Sequence, residues 1–209
     1  MNTFIVILLV FLTACSALSV ESEEPSKNIN EGVEFMSEKI YDNAPPMQLN
    51  NSKEYVAKIH TNLGDITVDL FKDTAPNAVN NFVFLSRDNY YDDVIFHRVI
   101  SGFMIQGGDP SGTGHGDRGR YPGYKFHDEL NSPQNYSKGI VAMANSGPDS
   151  NGSQFFIMHK DYKLQYQYVI FGLVVDGLDI VDAIADTATN EADRPLEDIT
   201  ILDIQIEER

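Results

Sequence analysis

The sequence predicts one mainly β domain, an antiparallel barrel with two helices. Short segments with alternating apolar residues recur from about residue 55 onward, as in Ile66, Val68 and Leu70. This alternation is typical of strands with one buried face. Only two segments show helical spacing, and many short strands with few helices favour an antiparallel barrel. The length of 209 residues suits one substantial core, because two domains would each be small.

The predicted elements follow one another closely along the chain. Strands are expected at residues 55–60, 65–71, 95–100, 103–107, 139–144, 154–159, 168–174 and 199–206. A first helix is expected after an N-cap at Asp73 or Thr74, with Pro76 in the first turn, where its missing N–H costs little. A second, amphipathic helix is expected at residues 177–186, whose apolar residues recur at helical spacing.

The charge of the chain argues against one class of partner. The 15 Lys and Arg residues against 31 Asp and Glu residues give a formal net charge of −16. Such a surface repels nucleic-acid phosphates, so no nucleic-acid partner is expected. Solubility is a sufficient reason for the acidity, and the hydrophobic share of 42% is ordinary for a globular protein.

The first residues are typical of an export signal. Residues 4–12 form an apolar run that is too short to span a bilayer but suits a signal peptide. The following Leu-Thr-Ala-Cys, which ends at Cys15, resembles a bacterial lipobox, whose cysteine is acylated and becomes the mature N-terminus. The alternative is a chance cysteine after a plain signal peptide. One departure from the usual signal is the absence of Lys or Arg before the apolar run.

These features predict three regions. Residues 1–14 are expected to be a lipoprotein signal peptide, and a lipid at Cys15 is expected to anchor the protein to a bacterial membrane, outside the cytoplasm. Residues 15–52 are polar and acidic, with few apolar side chains to offset the entropy of ordering them, and are expected to form a flexible tether. Residues 53–209 are expected to form the folded domain.

The stretch FHRVISGFMIQGGD, at residues 96–109, combines a cation with apolar side chains. Arg98 lies among Phe103 and Met104, and the amide of Gln106 follows closely. An arginine in an apolar run is costly unless its guanidinium donors find partners. Its presence therefore indicates a functional role, and the alternative is a structural ion pair with one of the many carboxylates.

A second stretch, MANSGPDSNGSQFF at residues 143–156, supplies complementary groups. Asn145 and Gln154 contribute amide side chains, and Phe156 contributes an aromatic ring. The two stretches together predict a shallow apolar pocket that is rimmed by amide groups and has a cation at its edge.

The motifs FHRVISGFMIQGGD, GTG, MANSGPDSNGSQFFI and YVIFG, in this order, resemble the cyclophilin family of peptidyl-prolyl cis-trans isomerases. The resemblance covers about residues 55–206. It implies a closed eight-stranded antiparallel barrel capped by two α-helices, with the site on its outer wall. It also implies isomerisation of X-Pro bonds without a cofactor or metal, by a monomer that acts on proline-containing segments of unfolded or exported proteins.

The resemblance assigns roles to individual residues. Those expected to serve catalysis are Arg98, Phe103, Gln106, Asn145 and Phe156. Those expected to bind the peptide are Met104, Ala144, Gln154, Leu164 and Tyr168. The apolar members would surround the proline ring, the amides would hold the flanking peptide, and the arginine would stabilise the twisted amide.

The sequence bears on three other functions. Metal-assisted hydrolysis would use histidines, of which the chain has His60, His97, His115, His127 and His159, but no HExxH or similarly close pair is present. Nucleotide binding is not expected, because the glycine-rich residues 111–123 lack the GK(S/T) ending of a phosphate-binding loop. The remaining alternative is a chaperone or scaffold that binds proline-containing peptides with little turnover, and such a protein would not need Arg98.

Overall fold

The computed structural model describes residues 39–116 and 121–209, which contain eight strands and two helices. The strands are β1 (Tyr55–Thr61), β2 (Gly64–Leu70), β3 (Arg98–Ile100), β4 (Met104–Gly107), β5 (Ile140–Met143), β6 (Phe155–Met158), β7 (Ile170–Asp176) and β8 (Ile201–Glu208). The helices are α1 (Pro76–Arg87) and α2 (Leu178–Ala185). Every strand and helix predicted from the sequence is present. The largest difference is at β3, which begins at Arg98 rather than at residue 95.

The strands form one antiparallel sheet in the order β3-β4-β6-β5-β7-β2-β1-β8. No ladder joins β3 to β8 in the described residues, so the sheet is an open half-barrel and the expected closed barrel is not confirmed. Single backbone hydrogen bonds nevertheless connect its two edges, from Phe96 N to Ile199 O at 2.9 Å and from Ile201 N to Val94 O at 2.8 Å. These bonds bring the chain before β3 close to the start of β8.

Alternate residues of the neighbouring strands β4 and β6 face two different apolar clusters. Ile105 and Ile157, which lie opposite each other, belong to the main core together with one face of each helix. Met104 and Met158 form the adjacent pair and belong to a second cluster on the other side of the sheet, which also contains Phe156. Side chains alternate along a strand, so both faces of β4 pack against an apolar cluster. Gln106 is the polar residue of this strand, and it is partly exposed.

Helix α1 begins one or two residues later than the predicted N-cap positions imply. The N-cap is Ala75, and Pro76 occupies the first helical position. The predicted N-cap at Asp73 or Thr74 is therefore wrong. Ala75 has no side chain that can accept a hydrogen bond, and no side-chain cap bond is formed there.

A distant carboxylate replaces the missing cap of α1. Glu129 accepts hydrogen bonds from the backbone N–H groups of Asn77 and Ala78, both at 3.0 Å. It also accepts one from the side chain of Asn77 at 2.8 Å. An anion at a helix N-terminus satisfies orphan donors and interacts favourably with the helix dipole.

Residues 39–52 lie against α1 and the barrel. The ring of Tyr41 packs against Phe84 with centroids 5.2 Å apart, and its hydroxyl donates to Asp88 at 2.6 Å. The Asn80 side chain donates to the carbonyl of Pro46 at 3.1 Å. The described end of the predicted tether is thus held on the domain. The signal peptide, Cys15 and the rest of the tether lie outside the described residues.

Within residues 39–116 and 121–209, neither helix is long and apolar enough to cross a membrane.

Candidate active site

Strand register sets three of the expected catalytic residues side by side. Arg98 on β3 lies opposite Gln106 on β4, and Gln106 lies opposite Phe156 on β6. Residues directly opposite each other in antiparallel strands project to the same face. The sheet therefore carries a cation, an amide and an aromatic ring in one row across its outer wall.

A pocket of about 230 Å³ lies over this row. Its lining consists of Arg98, Phe103, Met104, Gln106, Ala144, Asn145, Phe156, Leu164 and Tyr168. We call it the central pocket. It contains all the predicted site residues except Gln154. The volume is below the roughly 300–1,000 Å³ of pockets for drug-sized ligands, so it suits one small ring or side chain.

Aromatic contacts fix the walls of the central pocket. Phe156, which is 5% exposed, meets Tyr168 edge to face with centroids 5.5 Å apart. Phe103 packs on Tyr162 at 4.5 Å. The hydroxyl of the buried Tyr136 donates to Tyr168 O at 2.9 Å and accepts from Tyr168 N at 3.0 Å. These contacts hold the rings in place before any ligand binds.

Arg98 lies at the exposed rim, with 44% of its side chain accessible. Its Nε donates to Asp193 Oδ2 at 3.4 Å. Its terminal amino groups make no hydrogen bond within the described residues. A fixed cation with free donors therefore faces an apolar pocket, which is an arrangement that can stabilise a developing lone pair or negative charge.

The amide side chains differ in how far the protein already uses them. Gln106 Nε2 donates to Gln154 Oε1 at 2.9 Å, and Gln154 Nε2 donates to Gly114 O at 3.1 Å. Gln154 is thus engaged at both ends, whereas the Gln106 oxygen has no partner among the described residues. Asn145 Nδ2 donates to Gln167 O at 3.0 Å. Gln154 is therefore placed to orient Gln106 rather than to line the central pocket.

Two further pockets adjoin the central one. The Lys125 pocket, of about 500 Å³, shares Gln106, Ala144 and Asn145 with it and extends past Gln154. The Lys163 pocket, of about 580 Å³, is formed by residues 133–137 and 161–164 and shares Leu164 with it. The two pockets thus meet the central pocket at different residues.

Two buried histidines near the site have lowered pKa values. His97, 6% exposed, has no hydrogen-bond partner on either ring nitrogen among the described residues, and burial lowers its pKa to about 4. His159 accepts a hydrogen bond from Gly102 N on Nδ1 at 3.0 Å, and burial also lowers its pKa. No group of three or more His, Cys, Asp or Glu side chains in the described part of the chain is arranged to hold a metal ion.

The family model described as "Cyclophilin type peptidyl-prolyl cis-trans isomerase/CLD" matches residues 56–206. The chain belongs to this family. The cyclophilin relatives include the peptidyl-prolyl cis-trans isomerase CYP18-1 of Arabidopsis thaliana, which is 48% identical over 145 residues, covering 68% of this chain and 90% of the relative. The human peptidyl-prolyl cis-trans isomerase-like 3 is 45% identical over 151 residues, covering 71% of this chain and 93% of the relative.

Solved structures agree with the fold. A cyclophilin-type peptidyl-prolyl cis-trans isomerase of Cryptosporidium parvum matches with a TM-score of 0.69 and 40% identity, covering 74% of this chain and 98% of that one. A second structure of the same protein was solved in the presence of the dipeptide Ala-Pro. This cyclophilin is thus a peptidyl-prolyl cis-trans isomerase. The relatives named here are eukaryotic, so they give no support to the expected bacterial lipoprotein form.

Reasoning from the sequence missed several residues that support the site. Each of them contacts one predicted residue: Tyr162 contacts Phe103, Tyr136 contacts Tyr168, and Asp193 contacts Arg98. None of the three lies within the motifs that predicted the pocket. The tyrosine-rich run DYKLQYQY at residues 161–168 is the one signal that could have directed attention to Tyr162.

Proposed function

We propose that this cyclophilin assists the folding of exported proteins by accelerating rotation about X-Pro bonds, as a monomer anchored outside the cytoplasm through a lipid on Cys15. The observation that carries the catalytic part is the row of Arg98, Gln106 and Phe156 beneath the central pocket. The support for the anchor is the apolar run at residues 4–12 followed by Leu-Thr-Ala-Cys.

The chemistry requires stabilisation of a twisted amide. The C–N bond has partial double-bond character, which gives a rotation barrier of about 18–20 kcal/mol. Twisting breaks the resonance and leaves a lone pair on the prolyl nitrogen. A donor aimed at this nitrogen stabilises the twisted state more than the planar one, which is the condition for catalysis.

Different residues of the central pocket act on different parts of the substrate. The apolar walls hold the proline ring while the segment on one side of it rotates. Arg98 supplies N–H donors that stay protonated at any working pH. Gln106 offers a free amide oxygen to the peptide backbone. Shortening an event of tens of seconds to milliseconds takes about four decades, or on the order of 5.5 kcal/mol, which one aligned cation and a rigid pocket can supply.

The test is a coupled isomerase assay with the full-length chain and an Ala-Pro-containing peptide. We expect acceleration that EDTA leaves unchanged. Loss of activity on chelation, with recovery on adding zinc, would refute the mechanism. Binding of the peptide without acceleration would instead favour the alternative, a proline-peptide-binding chaperone or scaffold with little turnover.

The anchor is tested separately by fractionation of cells that express the full-length chain. We expect the parent protein in the membrane fraction, the Cys15→Ser variant in the soluble fraction, and a mass shift of the parent N-terminus that corresponds to full lipoprotein modification. One acyl chain anchors only weakly, so a single modification would not suffice. An unmodified mature chain that begins elsewhere would refute the anchor and leave the isomerase proposal intact.

A further inference from the structure

The three pockets of the site carry a charge opposite to that of the whole protein. Their basic side chains are Arg98 in the central pocket, Lys125 in the Lys125 pocket and Lys163 in the Lys163 pocket. Among the described residues, the one carboxylate that lines any of them is Asp161, which already accepts a hydrogen bond from Lys138 N at 2.8 Å. The chain as a whole has a formal net charge of −16.

The two lysines also form no ion pair within the part of the chain that the structure describes. Among the described lysines, ion pairs engage Lys39, Lys58, Lys72 and Lys138, whereas Lys53 and Lys160 form none. Neither Lys125 nor Lys163 has a carboxylate partner there, although acidic residues outnumber basic ones about twofold in the chain. Asp193, the carboxylate beside Arg98, lines none of the three pockets.

The two lysines lie in pockets that adjoin the central pocket. The Lys125 pocket meets it at Gln106, Ala144 and Asn145, whereas the Lys163 pocket meets it at Leu164. A peptide with its proline in the central pocket would therefore leave it through one of these pockets on each side. Both ammonium groups are on exposed residues and need no rearrangement to reach a passing side chain.

We propose that this cyclophilin selects proline segments that carry acidic side chains on both sides of the proline, with Lys125 and Lys163 each recognising one side. The inference rests on the proposed role of the central pocket and adds a substrate class to it. Exposed charge pairs are weak, so each lysine should change selectivity by only about two- to fivefold. A cluster of cations on a surface that is otherwise acidic should also raise the association rate of acidic peptides relative to basic ones.

The experiment compares peptides that are identical except for Glu, Gln or Lys placed one, two or three residues before or after the proline. With the full-length protein at low salt, kcat/KM should rank Glu above Gln above Lys on both sides. At about 1 M salt, where the screening length is about 3 Å, the ranking should collapse. Lys125→Glu and Lys163→Glu should each reverse the preference on one side only, and on opposite sides. Lys53→Glu, which changes a lysine outside all three pockets, should leave the ranking as in the parent.

Equal kcat/KM for Glu, Gln and Lys peptides at low salt, with normal turnover, would overturn this inference and leave the isomerase proposal standing. So would charge-reversal variants that keep the parent ranking. If no peptide were isomerised, the proposed function would fail, and the same series would be measured as binding by fluorescence anisotropy. A Glu preference in binding that Lys125→Glu and Lys163→Glu reverse would still support the selectivity, and its absence would refute it.

Discussion

The side chain of Arg98 is held by a carboxylate that lies 95 residues later in the chain, with Nε 3.4 Å from Asp193 Oδ2. The backbone secures this relationship, since Val99 N donates to Asp193 O at 2.7 Å. Asp193 also has a φ of 61°, in the left-handed region, where Asn and Asp are the best tolerated of the residues with side chains. The contact engages Nε and leaves the terminal amino groups of Arg98 without a hydrogen bond among the described residues.

Asp193→Asn should lower kcat by about two- to fivefold with little change in KM or melting temperature. Asparagine tolerates the backbone conformation but lacks the charge that orients the guanidinium, and the pair is exposed enough for its energy to be modest. Steady-state kinetics at low and high salt would measure the effect. The matched control is Asp93→Asn, an exposed aspartate with the same φ of 61°. Equal losses in both variants would contradict a positioning role for Asp193.

Arg98→Ala should lower kcat/KM by at least about a hundredfold, or roughly 2.7 kcal/mol, because it removes the proposed donor to the twisted amide. Arg98→Lys should also be poor, since an ammonium cannot reproduce the planar fork of donors. Thermal unfolding should change little, because the side chain is exposed. Normal turnover by the alanine variant would show that the donor is elsewhere.

The strands and much of the pocket could be predicted because their signals are local. Apolar patterning predicted all eight strands, and the two motifs contain seven of the nine residues that line the central pocket. The other two, Leu164 and Tyr168, were predicted from the family resemblance. The sequence could not tell that Gln154 would be used to hold Gln106, because both amides look equally free in a sequence.

The contacts that were missed join distant parts of the chain. Glu129 caps α1 from 52 residues away, and Asp193 holds Arg98 from 95 residues away. Neither carboxylate differs in its local sequence from the many other acidic residues of this chain. Asn80 likewise holds residues 45–48 on the domain, through bonds that the polar composition of this segment does not reveal.

The buried His97 should make folding stability depend on pH. Burial lowers its pKa from 6.5 to about 4, so between these values the unfolded chain binds a proton that the folded chain excludes. Stability is therefore lost as the pH falls through this window, by about 2 kcal/mol at pH 5 for this group. His97→Phe removes the titration, and no hydrogen bond is lost because the ring nitrogens are unpaired among the described residues.

Urea unfolding at pH 7 and pH 5 measures the His97 effect. The decrease in unfolding free energy between the two should be about 2 kcal/mol smaller in His97→Phe than in the parent. The comparison uses the difference between the two pH values, so a constant packing penalty of the phenylalanine cancels. His127→Phe serves as the control, since the His127 side chain is 90% exposed. An equal pH dependence in all three proteins would mean that His97 is not kept neutral by burial.

Glu129→Gln should destabilise the fold without altering the site chemistry. The two carboxylate oxygens accept from Asn77 N and Ala78 N, and an amide would turn an N–H₂ group toward one of these donors. Loss of a helix cap and of a favourable charge at the helix N-terminus costs about 1–2 kcal/mol. For a chain of this size, that corresponds to a melting temperature about 2–8 °C lower.

The melting temperatures of Glu129→Gln and of a control, Glu197→Gln, are measured by differential scanning calorimetry. Glu197 is exposed and has no hydrogen bond in the described residues, so the control shows the effect of removing a negative charge without removing a helix cap. Removing either negative charge from so acidic a protein relieves some repulsion, so the control should be neutral or slightly stabilised. The isomerase rate of Glu129→Gln at 25 °C should equal that of the parent, because α1 contributes no residue to the lining of the central pocket. If both variants melted at the parent temperature, the distant carboxylate would not be replacing the cap that Ala75 cannot provide.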